Sequence, residues 1–182
     1  MFGSSKLINS FCRVLLMQIL FFSSNAFFES IQGNVSLPLT TSCEDVIVSN
    51  DGSILACTHY LDKSVEVFSN TGTTFSLTQV IDLELYPNNL FMSEDGRKIY
   101  ATGNDKLKIF EGTNGSYQLA ESITLSSTTY DADISKDESL LVVSYLNGSI
   151  EIFEKNGTTY VLRQAIGDSS TLTDIILSED KN

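Results

Sequence analysis

Apolar and polar side chains alternate along several short segments of this chain, and the alternation recurs in near-identical form. Val65–Phe68, Leu107–Phe110 and Ile150–Phe153 each have an apolar residue at every second position and end on phenylalanine. A period of two predicts a β-strand with one buried face and one polar face. The predicted polar face of this strand carries one charged residue in each copy: Glu66, Lys108 and Glu151.

The pattern repeats about every 43 residues, a period that is typical of one blade of a β-propeller. A polar turn that starts with serine recurs at this period, at Ser49–Gly52, Ser93–Gly96, Ser135–Glu138 and Ser178–Lys181. Apolar stretches after these turns predict further strands, and Asn-Gly pairs later in the units predict further hairpins. The predicted fold is therefore all-β, with blades of four antiparallel strands.

The strand count predicts three complete blades and one further strand. The blades span 45–82, 88–124 and 129–167, a fourth blade starts at 173–178, and residues 27–44 form an N-terminal segment with a candidate outer strand. Closed propellers contain about four to eight blades. We therefore expect an incomplete propeller, which is completed either in a longer natural protein or by self-association of copies that together close the ring.

Two of the turn phrases are similar to known repeats. Ser93–Thr102 resembles the repeat of the YVTN and WD40-like propeller families, and Ser49–Ala56 resembles the WD40 form of the same turn and strand. The resemblance implies a propeller but no single activity, because these families include protein-binding scaffolds, surface proteins, lactonases and quinoprotein dehydrogenase subunits. The chain contains no tryptophan, so the Trp-Asp signature that ends a WD40 blade is absent.

Residues 1–26 have the composition of a secretory signal peptide. Lys6 and Arg13 accompany an apolar run at Val14–Phe22, and Ser24–Ala26 offers small residues for cleavage. The alternative is a membrane anchor, but an apolar stretch of roughly 10 residues is shorter than the about 20 that a spanning helix needs. We therefore expect a protein that is secreted or in the secretory pathway, with no transmembrane span in the mature chain.

The formal net charge of −12 bears on the class of partner. An acidic surface repels phosphate backbones, so no nucleic-acid partner is expected. The same charge favours solubility and attracts cations or basic protein surfaces.

Cys43 and Cys57 flank the first predicted hairpin, whereas Cys12 lies in the predicted leader. Folding the chain between Cys43 and Cys57 brings the two thiols near each other. In an oxidising compartment this arrangement predicts a structural disulfide. The alternative is that Cys57 packs as a small apolar side chain, at a position where later units have Thr102 and Val143.

Residues that support catalysis are scarce in the sequence. The sequence has a single histidine, His59, so neither a histidine metal cluster nor a Ser-His-Asp triad has enough members. His59 ends a predicted strand and is expected at the surface or at a blade edge. A glycine-rich phosphate loop, a Gly-x-Ser-x-Gly elbow and a calcium loop are also absent from the sequence. No catalytic residue and no cofactor are therefore expected.

Polar residues recur where the first strand of each unit begins, at Asp45, Asn89, Asp131 and Asp174. In similar propellers this strand lines the central channel, so the four residues form a speculative acidic rim for a cation or a basic side chain. The alternative is that short acids start strands because their oxygens accept a nearby backbone N–H.

Four Asn-x-Ser/Thr sequons mark candidate N-glycosylation sites at Asn34, Asn114, Asn147 and Asn156. The last three are followed by glycine, which is also ordinary hairpin composition.

These patterns predict a secreted or surface-displayed propeller that binds a protein or other extracellular ligand without catalysis. A rigid disc that presents many short loops suits recognition. One alternative is a subunit or fragment of a propeller enzyme of the lactonase or quinoprotein-dehydrogenase type. Another is a truncated fragment of a longer propeller protein.

Overall fold

The computed structural model describes residues 43–167 and 175–177. These residues form twelve β-strands and no helix, and the strands build three four-stranded antiparallel sheets. Each sheet follows the order of the chain, so its first strand is one edge and its fourth strand is the other. The predicted all-β fold, with propeller-like blades of four antiparallel strands, is confirmed.

The strands of each sheet are consecutive in the chain. The first sheet contains β1 (Val46–Val48), β2 (Ile54–His59), β3 (Ser64–Asn70) and β4 (Phe75–Asp82). The second sheet contains β5 (Asn89–Met92), β6 (Lys98–Gly103), β7 (Lys106–Thr113) and β8 (Ser116–Thr124). The third sheet contains β9 (Thr129–Ile134), β10 (Leu140–Tyr145), β11 (Ile150–Asn156) and β12 (Thr159–Ile166).

The first strands of the three sheets lie side by side, with β1 next to β5 and β5 next to β9. An apolar core between the first and second sheets includes the buried side chains of Val65 and Ile99. A second core, between the second and third sheets, includes Leu107 and Leu141. Burial of these side chains is the main favourable contribution to stacking the blades.

The phenylalanine that ends each repeated phrase is buried at the same backbone irregularity in every blade. Phe68, Phe110 and Phe153 are all buried. The register between the third and fourth strands shifts immediately before each of them. Such a β-bulge bends the strand and re-aims the side chain, so the sequence repeat is also a repeat of backbone irregularity.

The serine turn is held by the same hydrogen bonds in all three sheets. Ser93 Oγ donates to Asp95 Oδ1 at 2.8 Å and accepts from the Lys98 N–H at 2.9 Å. The same carboxylate oxygen accepts from the Arg97 N–H at 3.0 Å. The first and third sheets repeat this set of bonds. The repeated serine and aspartate are therefore explained by the turn itself.

This turn also requires one residue with left-handed backbone geometry. Gly52 and Gly96 take that place with φ of 69° and 70°, whereas Glu138 takes it in the third sheet with φ of 56°. The Glu138 carboxylate pairs with Lys98 of the second sheet and with Lys155, whose Nζ lies 3.0 Å away. Burial raises the pKa of Glu138, but the two lysines outweigh burial and hold that pKa below its usual range. The residue that departs from glycine thus links two blades.

The charged residues predicted on a polar strand face, Glu66, Lys108 and Glu151, are buried instead. The prediction is wrong because the side chains on both faces of a blade pack against other parts of the chain. Partners compensate the buried charges. Lys108 Nζ lies 3.0 Å from Glu84 Oε2, and Glu151 accepts a hydrogen bond from the Tyr145 hydroxyl.

Cys43 and Cys57 are joined by a disulfide, with their Cα atoms 5.9 Å apart, a separation typical of such bonds. It connects the chain ahead of β1 to β2. Around it, Leu55 and Phe68 belong to a small apolar cluster on the outer face of the first sheet.

The predicted leader 1–26 lies outside the described residues, as does most of the predicted strand at 173–178. In the short described stretch there, the backbone N–H groups of Ile175 and Leu177 donate to the carboxylates of Asp131 and Asp133. In the part of the chain that the structure describes, no helix has the length and apolar character required to cross a membrane.

Candidate functional site

The polar residues predicted to form a rim lie at the junctions between blades. Asn89 Nδ2 donates to Asp131 Oδ1 at 2.6 Å, which joins the second blade to the third. Asp45 Oδ2 accepts from the Leu90 N–H at 3.0 Å, which joins the first blade to the second. Because β1, β5 and β9 lie side by side, these residues share one edge of the arc, called the mouth edge below. Asp174 lies outside the described residues.

Each of the two carboxylates also accepts a hydrogen bond from its own strand. Asp45 Oδ1 accepts from the Val46 N–H and Asp131 Oδ1 from the Ala132 N–H, both at 2.9 Å. These are local backbone bonds of the kind that explains short acids at strand starts. Within residues 43–167 and 175–177, no group of three His, Cys, Asp or Glu side chains is placed to hold a metal ion. The cation-binding role of the rim stays a prediction.

Asp45 has the electrostatic character of a proton acceptor. Burial raises the pKa of its carboxyl, and the N–H donors of Leu90 and Val46 reduce that increase without cancelling it. The side chain is half-buried, so water retains access to it. A carboxylate with a raised pKa at the edge of a fold is a candidate functional group, because it is a stronger base than an ordinary aspartate.

The single histidine lies at the same edge but is not exposed. His59 is 2% exposed, and its Nε2 lies 3.1 Å from Glu66 Oε2. Of the expected surface or blade-edge imidazole, only the surface position is wrong: β3 pairs with β2 and places Glu66 opposite Cys57, two residues from His59. The sequence does show the alternation of β3, but it does not show that both faces of the strand are covered.

Two tyrosines meet at the mouth edge, between the first and second blades. Tyr60 follows β2 and Tyr86 precedes β5; their ring centroids are 5.0 Å apart and their planes are tilted by 34°. Lys63 Nζ lies 4.3 Å from the centroid of the Tyr86 ring. The Tyr60 N–H donates to Glu44 Oε2 at 2.8 Å, next to Asp45. Sequence analysis missed this tyrosine pair because its members come from two loops outside the repeated phrases.

The described sequons lie in exposed turns. Asn114 lies in the turn before β8, Asn156 is the last residue of β11 before the turn to β12, and Asn147 lies in the turn between β10 and β11. Asn147 Oδ1 accepts from the Ser149 N–H at 3.0 Å and from its hydroxyl at 2.7 Å. Asn34 lies outside the described residues, and glycosylation at all four positions stays a prediction.

Sequence comparison yields no family model and no curated protein that matches this chain. Structural comparison finds the periplasmic gluconolactonase of Pseudomonas aeruginosa, with a TM-score of 0.62 and 19% identity over 68% of this chain and 39% of that chain. A provisionally named 6-phosphogluconolactonase from Bacteroides fragilis gives a TM-score of 0.58 and 20% identity over 66% of this chain and 37% of that chain. Hydrazine synthase from Kuenenia stuttgartiensis gives a TM-score of 0.61 and 21% identity over 79% of this chain and 42% of that chain.

These similarities correct two expectations of the sequence analysis. Several of the neighbours are named as lactonases, which contradicts the prediction of a non-catalytic interaction module and the prediction that the chain is not an enzyme. The chain spans about two-fifths of the length of these structures. At such identities the likeness shows a propeller-like fold and nothing beyond the fold.

Proposed function

We propose that this chain forms part of a propeller enzyme that hydrolyses the cyclic ester of a sugar-acid lactone. The observation that carries the proposal is the overlap of its three blades with structures named as lactonases. Fold likeness alone does not select an activity, since hydrazine synthase shares the architecture. The raised pKa of Asp45 at the mouth edge adds a group that can perform the chemistry.

In the proposed reaction, Asp45 acts as a general base. Its carboxylate accepts a proton from a water molecule whose oxygen attacks the lactone carbonyl carbon. The bond between that carbon and the ring oxygen then breaks, and the ring oxygen takes the proton from Asp45 to become a hydroxyl group, which restores the carboxylate. The product is the open hydroxy acid, so the reaction consumes only water and lactone.

The test is the hydrolysis of D-glucono-1,5-lactone by the full chain, measured as acid release in a pH-stat against spontaneous hydrolysis. Asp45→Asn is expected to lower kcat by about 10²-fold or more, as loss of a general base does. Asp133→Asn is a matched control. Like Asp45, Asp133 accepts hydrogen bonds from backbone N–H groups of its own strand and of the next segment, at 2.8 and 2.7 Å. It lies two residues beyond Asp131 along β9, further from the mouth edge. Wild-type hydrolysis no faster than the background, or equal effects of the two substitutions, refutes the proposal.

We also propose that the chain is exported and that its repeats belong to the WD40-like and YVTN-type group. The leader composition of residues 1–26 and the periplasmic location in the name of one neighbour support export. N-terminal sequencing of secreted protein is expected to begin near Phe27. Digestion with an amidase that removes N-glycans is expected to lower the mass of secreted protein, and an unchanged mass contradicts glycosylation.

We further propose that copies of the chain associate to extend the arc of blades. The outer face of the third sheet is apolar and partly uncovered, since Ile150 and Ile152 are half-buried. In the stretch 175–177, which bonds to β9, Ile176 is 79% exposed. An apolar sheet face of this kind favours association. Light scattering after size-exclusion chromatography is expected to show more than one copy. A monomer at all concentrations contradicts the idea, and Ile152→Lys is expected to weaken the assembly.

A further inference from the structure

We propose that the tyrosine pair, Tyr60 and Tyr86 together with Lys63, is a stacking site for the ring of an uncharged polyhydroxylated lactone. The choice of ligand rests on the proposed function, but the binding surface does not. Tyr60 and Tyr86 are 41% and 36% exposed as residues, so the pair lies at the surface, where a ligand can reach it. The apolar C–H face of a sugar ring packs on such aromatic surfaces, and its hydroxyls stay in contact with polar neighbours.

Lys63 fits the backbone geometry of its turn less well than glycine does. Its φ is 52°, in the left-handed region, whereas the matching position of the third blade holds Gly148, with φ of 83°. A residue with a long side chain is disfavoured in this region, and an outlier of this kind points to a role for the side chain. Here the side chain places the ammonium group 4.3 Å from the Tyr86 centroid, a cation–π contact that holds the ring in place.

The segment between β4 and β5, which carries Tyr86, also contains a residue with left-handed backbone geometry. Glu84, in the segment between β4 and β5, also has a left-handed φ of 56°. Its carboxylate pairs with Lys108 at 3.0 Å, and the Leu83 N–H donates to the Lys63 carbonyl at 2.7 Å. These bonds fix the loop of Tyr60 against the loop of Tyr86. The pair is therefore a preorganised surface, which lowers the entropic cost of binding.

Charge selects an uncharged ligand at this surface. Glu44, Asp45, Asp62 and Glu84 lie in or beside the two loops, against Lys63 and Lys108. The balance is acidic, as it is for the whole chain. A phosphate group on the ligand would be repelled, whereas the hydroxyls of a neutral sugar lactone can donate to carboxylate oxygens. We therefore expect preference for a non-phosphorylated lactone, and repulsion of the acidic product after hydrolysis.

The test is binding of D-glucono-1,5-lactam, a stable uncharged analogue of the lactone, and of 6-phosphogluconate to the full chain, each measured by saturation-transfer NMR and calorimetry. The lactam is expected to bind at least about tenfold more tightly than the phosphorylated acid. Because gluconate differs from the lactam in charge but lacks phosphate, it serves as a third probe, with intermediate affinity expected. Tighter binding of the phosphorylated acid than of the lactam overturns the proposal.

Substitutions locate the binding surface. Tyr60→Ala and Tyr86→Ala are each expected to weaken lactam binding about tenfold, the scale of one lost aromatic contact. Leu146→Ala is the control, because Leu146 is 59% exposed in the corresponding turn of the third blade. Lys63→Gly is expected to weaken binding while the melting temperature stays level or rises, since glycine accepts the left-handed backbone. Equal lactam binding by wild type and both tyrosine variants overturns the proposal.

Two further results separate this proposal from the catalytic one. Asp45→Asn is expected to lose hydrolysis and to weaken lactam binding less than Tyr60→Ala does. If wild type fails to hydrolyse the lactone but binds the lactam through the tyrosines, the stacking site stands and the enzymatic proposal falls. If hydrolysis proceeds and the tyrosine substitutions change neither the KM nor lactam binding, the stacking site is refuted.

Discussion

Replacing Ser93 with alanine tests the role of the repeated serine turn. Ser93 is 3% exposed, and its hydroxyl makes two hydrogen bonds, one to the Asp95 carboxylate and one from the Lys98 N–H. A neutral hydrogen bond contributes about 1 kcal/mol, and a bond to a charged group somewhat more. Because Asp95 is itself exposed and regains water, we expect Ser93→Ala to lower the free energy of unfolding by about 2 kcal/mol.

For a chain of this length, a loss of that size lowers the melting temperature by about 4–8 °C. The assay is thermal unfolding followed by circular dichroism, with urea titration as a second measure of the free energy. Ser76→Ala is the matched control, since Ser76 is an exposed residue of β4. It is expected to change the free energy of unfolding by less than about 1 kcal/mol. The hydrogen-bond argument is refuted if the two serine substitutions have equal effects.

Two further substitutions probe the contacts between blades. Glu138→Gln is expected to lower the free energy of unfolding by about 2 kcal/mol at pH 7. The pKa of Glu138 in the folded protein is lowered from its ordinary 4.5. The wild type is therefore more stable than the variant above pH 4.5, and it loses this extra stability as the pH falls through the folded pKa. Urea titrations at several pH values measure the difference, and a difference that persists unchanged at acid pH contradicts the ion-pair explanation. Gly115→Ala is expected to cost more than about 2 kcal/mol, because the added methyl group overlaps the side chains of Ser69 and Thr78 at a left-handed φ of 77°. Gly157→Ala, with φ of 66° and no neighbour within 4 Å, is expected to lower the free energy of unfolding by only about 1 kcal/mol. If thermal melts give the same loss for Gly115→Ala and Gly157→Ala, the contact of Gly115 with the first blade contributes nothing.

Several structural features follow from local sequence alone. The serine turn is one, since Ser93 and Asp95 bond only to groups within five residues of Ser93. Alternation in segments such as Val65–Phe68 is another, because it predicts extended backbone without knowledge of any neighbour. A period of about 43 residues then suffices to predict stacked four-stranded units. The confirmed all-β fold rests on these local properties.

The candidate site could not be read in the same way. Glu66 and Lys108 looked like members of a polar face, and only the stacking of blades shows that both are buried. The sequence did not show that His59 is buried, because its contact with Glu66 depends on the pairing of β3 with β2. Even Asp45, whose position the repeat does predict, owes its raised pKa to burial, which no sequence pattern records.

The sequence by itself thus determined the strands, the serine turns and the repeat, because each depends on residues a few positions apart. Tertiary structure alone decided which charges are buried and which side chains meet across blades. The contact between Tyr60 and Tyr86 depends on two loops whose separation in space is set by the packing of β1 against β5. Contacts of this kind arise from the hydrophobic cores between blades, which local alternation permits but does not position.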